Sequence, residues 1–194
     1  KRALEENRKG TVVTTVDTSL LLDAVVEEYG GRLARTRLGK THALLEKEKP
    51  VLAGEPWKII FPDWGCWIDG VMAAAKIAND LIRANTMLSE ILSDIPERPQ
   101  ERTSFACQLG DKDGVMRHVG RVLPSELSNV KDVWTYDGVR VNLDDDSWVL
   151  VRSSGTEAKV RLYAEAQTPE SLKRLVEVGT RVIREGMGES GKPS

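Results

Sequence analysis

The sequence contains few cysteines and histidines. Its 194 residues include Cys66, Cys107, His42 and His118 as the only members of these two types. The cysteines stand far apart, with no cysteine or histidine at metal-ligand spacing, so two reduced thiols are favoured and a disulfide is the alternative. Neither histidine belongs to a recognisable triad, which favours surface or helix-packing roles. A disulfide-rich scaffold and a Cys/His metal site are therefore disfavoured.

An excess of charge of one sign and long apolar runs are also missing. The 28 basic and 30 acidic side chains give a formal net charge of −2, so no overall field attracts nucleic acid or an anionic membrane. No apolar run approaches the ~20 residues of a membrane span, and the first residues lack the apolar core of a signal peptide. These absences predict a cytoplasmic protein that binds neither nucleic acid nor membrane, and any anion site must be local.

The first half of the chain alternates strand and helix patterns. Strands are predicted at 11–16, 32–36 and 51–53, and helices near 21–29, at 41–49 and after Asp69-Gly70. In the last helix Val71, Ala74, Ala75, Ala78, Leu81 and Ile82 form one apolar stripe. Alternating strands and helices predict an α/β domain with a mostly parallel, mixed sheet, which we assign to residues 1–95.

A proline-bearing, charged segment, 96–102, is predicted to be a linker. A smaller α+β domain is predicted at 103–186, with an antiparallel sheet covered by helices, followed by a polar tail at 187–194. Its strands are expected at 103–109, at 139–143 and on both sides of a polar loop near 152–159. Thr168 and Pro169 are expected to start the last helix as N-cap and first helical residue.

The polar loop between the last two predicted strands has the donors that an anion requires. Arg152 offers a planar guanidinium, and Ser153, Ser154 and Thr156 offer hydroxyl groups. Gly155 can take a positive φ and allow successive N–H groups to converge on one anion. The residues alone leave two interpretations open, a phosphate-binding loop and an ordinary hairpin turn.

A carboxylate follows the third predicted strand of the first domain. Functional loops of α/β sheets lie beyond the carboxyl ends of the strands, and Glu55 occupies that position between Gly54 and Pro56. Glu55 can accept hydrogen bonds from sugar hydroxyls, and Trp57 or Trp64 can cover a sugar ring. The alternative interpretation is a solvated loop acid with tryptophans that serve only packing.

Several of these segments resemble the α-D-phosphohexomutases, the family of phosphoglucomutase, phosphomannomutase and phosphoglucosamine mutase. The segment from Arg152 to Glu157, with the strand that follows it, resembles the phosphate-binding loop of that family's last domain, although Ala158 stands where the family usually has proline. Gly54-Glu55 and Asp69-Gly70 match its sugar-binding loop, but residues 56–59 replace the usual Met-Ser-Gly-His. The segment from Thr36 to Gly39 resembles the Thr-x-Val-Gly loop beside the active site.

The resemblance implies that the chain corresponds to the third and fourth domains of a four-domain enzyme. The first domain would supply the phosphorylated serine and the second the loop that binds Mg2+, so no catalytic residue and no metal ligand are expected in this chain. The whole enzyme would interconvert hexose 1-phosphate and 6-phosphate, and this chain alone is expected to be inactive. Its expected partners are a phosphosugar and the missing N-terminal domains. A non-catalytic phosphosugar-binding module is the alternative.

The resemblance also assigns substrate-binding roles to individual residues. Gly54 and Glu55 would bind sugar hydroxyls, and the segment from Arg152 to Thr156 would bind the phosphate that is not transferred. Supporting roles are expected for Thr36 and Gly39 from the resemblance, and for Trp57 and Arg161 from their own positions in the sequence.

Overall fold

The computed structural model describes residues 1–7 and 9–188, which divide into two compact units, Lys1–Pro96 and Glu97–Ser194. The first unit contains the helices α1 (Arg2–Glu6), α2 (Leu21–Glu28), α3 (Thr41–Glu48), α4 (Gly70–Ala84) and α5 (Leu88–Ser93). Its strands are β1 (Thr11–Thr15), β2 (Arg32–Thr36), β3 (Leu52–Glu55) and β4 (Lys58–Ile60).

The four strands of the first unit form one mixed sheet in the order β2-β1-β3-β4. Strand β1 is parallel to β2 and β3, whereas β4 is antiparallel to β3, which confirms the predicted α/β class. Adjacent residues of a strand point to opposite faces. Accordingly, Val13 packs with Leu45 of α3 on one face, and Val12 packs with Leu4 and Val26 of α1 and α2 on the other.

Helix α4 begins as predicted but does not bury the predicted stripe. The Asp69 carboxylate accepts a hydrogen bond from the Met72 N–H at 2.9 Å, which caps the helix. Ala73 is the buried residue of α4, whereas Val71 is 83% exposed and Ile82 is 79% exposed. Helical periodicity identifies an apolar stripe without identifying a partner that covers it.

The second unit contains the strands β5 (Gln100–Ala106), β6 (Val130–Trp134), β7 (Val139–Leu143), β8 (Trp148–Ser153) and β9 (Lys159–Glu165). Its helices are α6 (Lys112–Val122) and α7 (Pro169–Gly186), with a 3-10 turn at Leu123–Glu126. The strands form an antiparallel sheet in the order β5-β9-β8-β7-β6, which confirms the predicted α+β class. Residues 100–102 of the predicted linker belong to β5, and the predicted tail lies outside the described residues from position 189 onward.

The two faces of this antiparallel sheet differ in chemistry. Val139 and Val141 point to the face covered by α6 and α7, where the apolar core lies. Arg140 and Trp148 lie on the opposite face. The fully buried Arg140 guanidinium carbon lies 4.0 Å from the centroid of the Trp148 ring and 4.7 Å from that of Trp134. This stacking stabilises a buried charged group on the face of the sheet that α6 and α7 do not cover.

Helix α7 starts as predicted. The Thr168 hydroxyl accepts a hydrogen bond from the Ser171 N–H at 3.2 Å, and Pro169 is the first helical residue. Within residues 1–7 and 9–188, the structure contains no helix with the length and apolar character needed to cross a bilayer.

Candidate functional site

The β8–β9 loop, Ser154–Ala158, is closed by its own hydrogen bonds. The Ser154 N–H donates to the Lys159 carbonyl oxygen at 2.9 Å, and the Lys159 N–H donates to the Glu157 carbonyl oxygen at 2.9 Å. The Glu157 N–H donates to the Ser154 hydroxyl oxygen at 3.2 Å. Ser154 is buried, so its hydroxyl organises the loop and does not lie on the exposed surface. The backbone of this loop is therefore ordered before any ligand binds.

Gly155 does not adopt the conformation that the sequence suggests. It is exposed, its φ lies outside the left-handed region, and a Cβ placed on it would meet no atom within 4 Å. The expectation of a positive φ is wrong because the Ser154 side chain closes the turn without a left-handed residue. Gly155 and Thr156 are exposed residues, and within the described part of the chain their N–H groups donate to no acceptor.

Arg152 lies at the end of β8, beside this loop, and its side chain is only 12% exposed. One of its terminal nitrogens lies 3.4 Å from a carboxylate oxygen of Asp137. Its Nε is buried, and among residues 1–7 and 9–188 it has no hydrogen-bond partner. Leaving a buried, charged donor unsatisfied costs free energy, so a further hydrogen-bond acceptor beside Arg152 would be stabilising.

The turn between β6 and β7 holds Arg152 in place. Gly138 has a φ of +83°, and a Cβ there would approach the Val151 carbonyl oxygen to 2.3 Å and the Arg152 Cβ to 2.6 Å. Only glycine fits this approach, which sets Asp137 against the guanidinium. The role of Asp137 is not predicted from the sequence, although Asp-Gly before a strand is a recognised hairpin signal.

Arg161 lies opposite Arg152 in the register of β8 and β9, so both guanidinium groups are on the same face of the sheet. Arg161 forms an ion pair with Glu157, whose other carboxylate oxygen accepts a hydrogen bond from Lys159 at 2.8 Å. Hydrogen bonds from Lys159 and Arg161 hold the pKa of Glu157 below its usual value. Glu157 therefore offsets part of the positive charge, and Arg152 is the guanidinium with unsatisfied hydrogen-bonding capacity.

The second predicted site lies in the first unit, around Glu55. Glu55 is the last residue of β3 and pairs with Lys58 across a two-residue turn, so it does not lie in a loop beyond the strand. Its carboxylate accepts a hydrogen bond from the buried Thr41 hydroxyl at 2.8 Å, and its other oxygen lies 3.4 Å from the Lys58 ammonium. The side chain is 11% exposed, so its orientation is fixed in advance.

Thr41 connects Glu55 to the predicted loop at Thr36 and Gly39. Thr36 ends β2, Gly39 has a φ of +73° in the turn that follows, and Thr41 begins α3. The structure therefore brings Glu55 close to this turn through one hydrogen bond. The contribution of Thr41 is not predicted, because a helix-starting threonine gives no sign of a distant carboxylate partner.

Trp57 occupies the turn between β3 and β4. Its side chain is 87% exposed, and its φ of +72° lies in the left-handed region that favours glycine. A cavity of about 350 Å³ borders this turn and is lined by Gly54, Glu55 and Trp57, together with residues of β1 and α2. The side chain of Trp57 thus lies at the edge of this cavity and does not contribute to a core.

No group of three or more His, Cys, Asp or Glu side chains suited to a metal ion occurs within the described ranges 1–7 and 9–188. The structure brings charged groups together at both predicted sites. In the second unit these are the ion pairs of Arg152 with Asp137 and of Glu157 with Lys159 and Arg161, and in the first unit it is the pair of Glu55 with Lys58. Each can bind polar groups of a ligand, and neither contains an activated nucleophile.

Comparison with known proteins places this geometry in a family. The family description "phosphoglucomutase/phosphomannomutase, alpha/beta/alpha domain III" matches residues 1–98, and that of the C-terminal domain of the same family matches residues 112–178. The chain belongs to the phosphoglucomutase/phosphomannomutase family. The predicted resemblance to the C-terminal half of an α-D-phosphohexomutase is therefore confirmed.

Relatives with curated names support this family membership. The chain is 37% identical to a phosphopentomutase of Thermococcus kodakarensis over 95% of its length and 42% of that protein. It is 33% identical to a phosphoglucomutase/phosphomannomutase of the same organism over 95% of its length and 40% of that protein. The chain thus spans about two fifths of these relatives.

Solved structures agree on the fold. A phosphoglucomutase/phosphomannomutase family protein of Burkholderia thailandensis aligns with 99% of the chain and 40% of its own length, with a TM-score of 0.79 and 24% identity. A phosphoglucomutase of Paramecium, parafusin, aligns with 95% of the chain and 39% of its own length, with a TM-score of 0.71 and 20% identity.

Proposed function

We propose that this chain is the C-terminal part of a phosphosugar mutase, an isomerase that interconverts a hexose 1-phosphate and a hexose 6-phosphate. In this proposal the second unit binds the phosphate that is not transferred, and the first unit binds sugar hydroxyls through Glu55. The observation that carries the proposal is the nearly buried Arg152 side chain with an unsatisfied Nε, next to a loop in which the exposed residues Gly155 and Thr156 have N–H groups without an acceptor in the described part of the chain.

A clamp on the distant phosphate contributes to catalysis even though it touches no reacting atom. Binding energy from a remote group holds the substrate in reacting geometry, which lowers the barrier at the phosphoryl group that moves. Arg152 suits this role because a guanidinium can bind two phosphate oxygens at once. A carboxylate oxygen of Asp137 lies 3.4 Å from one terminal nitrogen of Arg152, and this contact is long enough for a phosphate dianion to displace it.

The sugar that is recognised is a separate part of the proposal. The relatives include a phosphopentomutase as well as phosphoglucomutases, and residues 56–59 replace the family's usual sugar-loop sequence. Glu55 recognises hydroxyl groups in general, because a carboxylate accepts hydrogen bonds from any of them. We propose a hexose, and we expect residues 56–59, in and beside the β3–β4 turn, to select among sugars.

Mg2+ is proposed for the whole enzyme, where it would neutralise charge on the phosphoryl group that moves. A structure of Aspergillus fumigatus N-acetylphosphoglucosamine mutase contains magnesium together with its sugar phosphate. The described residues of this chain offer no comparable ligand cluster. We therefore assign the metal to the domains that this chain lacks, and we propose that the chain alone is inactive as a mutase.

Isothermal titration of glucose 1,6-bisphosphate into the chain tests the phosphate clamp. Arg152→Ala removes a charged bidentate donor worth roughly 1.5–3 kcal/mol, so its affinity should fall by about one to two orders of magnitude. Arg152→Lys should recover only part of this loss, because an ammonium does not reproduce the planar fork. The control is Arg174→Ala, which removes an exposed arginine of α7 in the same unit.

Glu55→Gln separates the sugar contact from the phosphate contact in the same experiment. It should weaken binding of a hexose phosphate and leave the affinity for inorganic phosphate unchanged, because the variant loses only a charged acceptor. If Arg152→Ala binds the bisphosphate as tightly as the wild type and as Arg174→Ala, the proposed clamp is wrong. Binding without mutase activity after the missing domains are supplied would favour a non-catalytic phosphosugar-binding module.

A further inference from the structure

A lysine lies beneath the β8–β9 loop. Lys112 is the first residue of α6, and it is only 7% exposed although lysine is almost never buried without a specific partner. Its ammonium donates a hydrogen bond to the Ser154 carbonyl oxygen at 2.7 Å and a second one to the Glu157 carbonyl oxygen. One side chain, separated from its acceptors by more than 40 residues, thus holds both ends of the loop.

These two contacts determine the direction in which the loop's N–H groups point. In a trans peptide the C=O group and the following N–H group point in opposite directions. Because the Ser154 carbonyl is directed at Lys112, the Gly155 N–H is directed away from it. The same argument applies to the Glu157 carbonyl and the Ala158 N–H. Lys112 therefore turns carbonyl oxygens inward and N–H groups outward, which is the arrangement that a bound anion requires.

The charge of Lys112 acts in the same direction. Two carbonyl oxygens at the surface of the loop would repel a phosphate, and the ammonium withdraws both of them from that surface. Hydrogen bonds to a charged donor are stronger than neutral ones, so the ammonium holds the loop more firmly than a neutral side chain would. A buried positive charge behind the loop also attracts an anion in front of it.

We propose that Lys112 is the positioning residue of the phosphate loop, which it organises without touching the phosphate. This inference rests on the proposed function, since it assumes that the loop binds phosphate. It adds a residue of α6, which is distant in sequence, to a site whose motif lies in β8 and in the β8–β9 loop.

Lys112→Met tests this role, because methionine has a similar length and lacks both the charge and the donors. We expect affinity for glucose 1,6-bisphosphate to fall about tenfold, corresponding to the loss of one charge-assisted hydrogen bond. Amide hydrogen exchange should accelerate selectively at Ser154, Glu157 and Lys159, while exchange at the core residue Leu162 stays at the wild-type rate. The matched control is Lys173→Met, which removes a lysine that is 78% exposed on α7.

The outcomes separate the inference from the proposed function. If Lys112→Met folds, retains loop protection and binds the bisphosphate as the wild type does, while Arg152→Ala does not bind, the role of Lys112 is wrong and the clamp stands. If the wild-type chain does not bind the bisphosphate, the proposed function fails and the inference fails with it.

A second pair of variants covers the case in which Lys112→Met does not fold. Lys112→Gln retains a hydrogen-bonding amide in the buried position, lacks the charge and is shorter, so it should fold and show the same weaker binding. Lys112→Arg restores charge and donors and should recover much of the affinity. A folded Lys112→Gln with wild-type affinity would overturn the proposal.

Discussion

Gly54→Ala tests the geometry that holds Glu55. Gly54 pairs with Ile59 across the β3–β4 hairpin, and Glu55 pairs with Lys58 in the next position. A Cβ on Gly54 would lie 2.7 Å from the Lys58 carbonyl oxygen, closer than real Cβ atoms approach a neighbour. Because that neighbour is backbone rather than the end of a flexible side chain, the hairpin must open to admit the methyl group.

The expected cost is that of a small-to-large change in a packed region, about 1–3 kcal/mol. For a domain of 60–100 residues, each kcal/mol corresponds to roughly 4–8 °C in melting temperature. Differential scanning calorimetry should therefore show a transition of the first unit that is lower by at least about 4 °C. The transition of the second unit should not change, which identifies the affected unit within the same sample.

Gly70→Ala is the matched control. Gly70 begins α4, and a Cβ there would meet no atom within 4 Å, so the same chemical change should leave the melting temperature of the first unit unchanged or raise it slightly. Equal melting temperatures for Gly54→Ala and the wild type would contradict the close approach in the hairpin. They would also remove the structural reason for the fixed orientation of Glu55.

Two further predictions concern single side chains. Trp57→Gly should raise the melting temperature of the first unit, since it relieves a positive φ that costs on the order of 1 kcal/mol and loses almost no buried surface; an unchanged or lower value would contradict the strain. Iodoacetamide at pH 8 should alkylate the exposed Cys66 before the buried Cys107, because burial raises the pKa of the Cys107 thiol and lowers its thiolate fraction. The Cys107 rate should increase as the pH rises above 8, and equal rates for the two thiols would contradict the burial.

The sequence patterns predict both buried strands and two charged edge strands, β2 and β5. The buried runs that give β1 and β8 are rich in β-branched residues, which fits a covered sheet position. Strands β4 and β6 are missing from the predicted set. Each lies at the edge of its sheet, β4 has only three residues, and β6 carries Lys131 and Asp132. In β4 the small number of residues, and in β6 the adjacent charges of an edge strand, leave too little apolar alternation to predict a strand.

The proposed phosphate loop can be located from the sequence because its hydrogen-bond donors are adjacent in the chain, whereas its conformation cannot be predicted in this way. Arg152 and the hydroxyl groups beside it leave an anion site and an ordinary hairpin turn open, and the resemblance to the mutase family favours the anion site. The positive φ expected for Gly155 is wrong, since the turn is closed by the Ser154 hydroxyl and by a lysine from α6. Glycine in such a loop therefore does not by itself show which hydrogen bonds close it.

Several groups that contact Arg152 and the loop come from elsewhere in the chain. Asp137 reaches Arg152 from the β6–β7 turn, and Lys112 reaches the loop carbonyls from the start of α6. The Cys107 N–H, at the end of β5, donates to the Ala158 carbonyl oxygen at 3.0 Å. A sequence reveals side-chain chemistry locally, but these contacts exist only after the sheet has formed. The loop motif transplanted to another hairpin would keep its donors and lose their arrangement, so the second unit as a whole is the smallest element that we expect to bind phosphate.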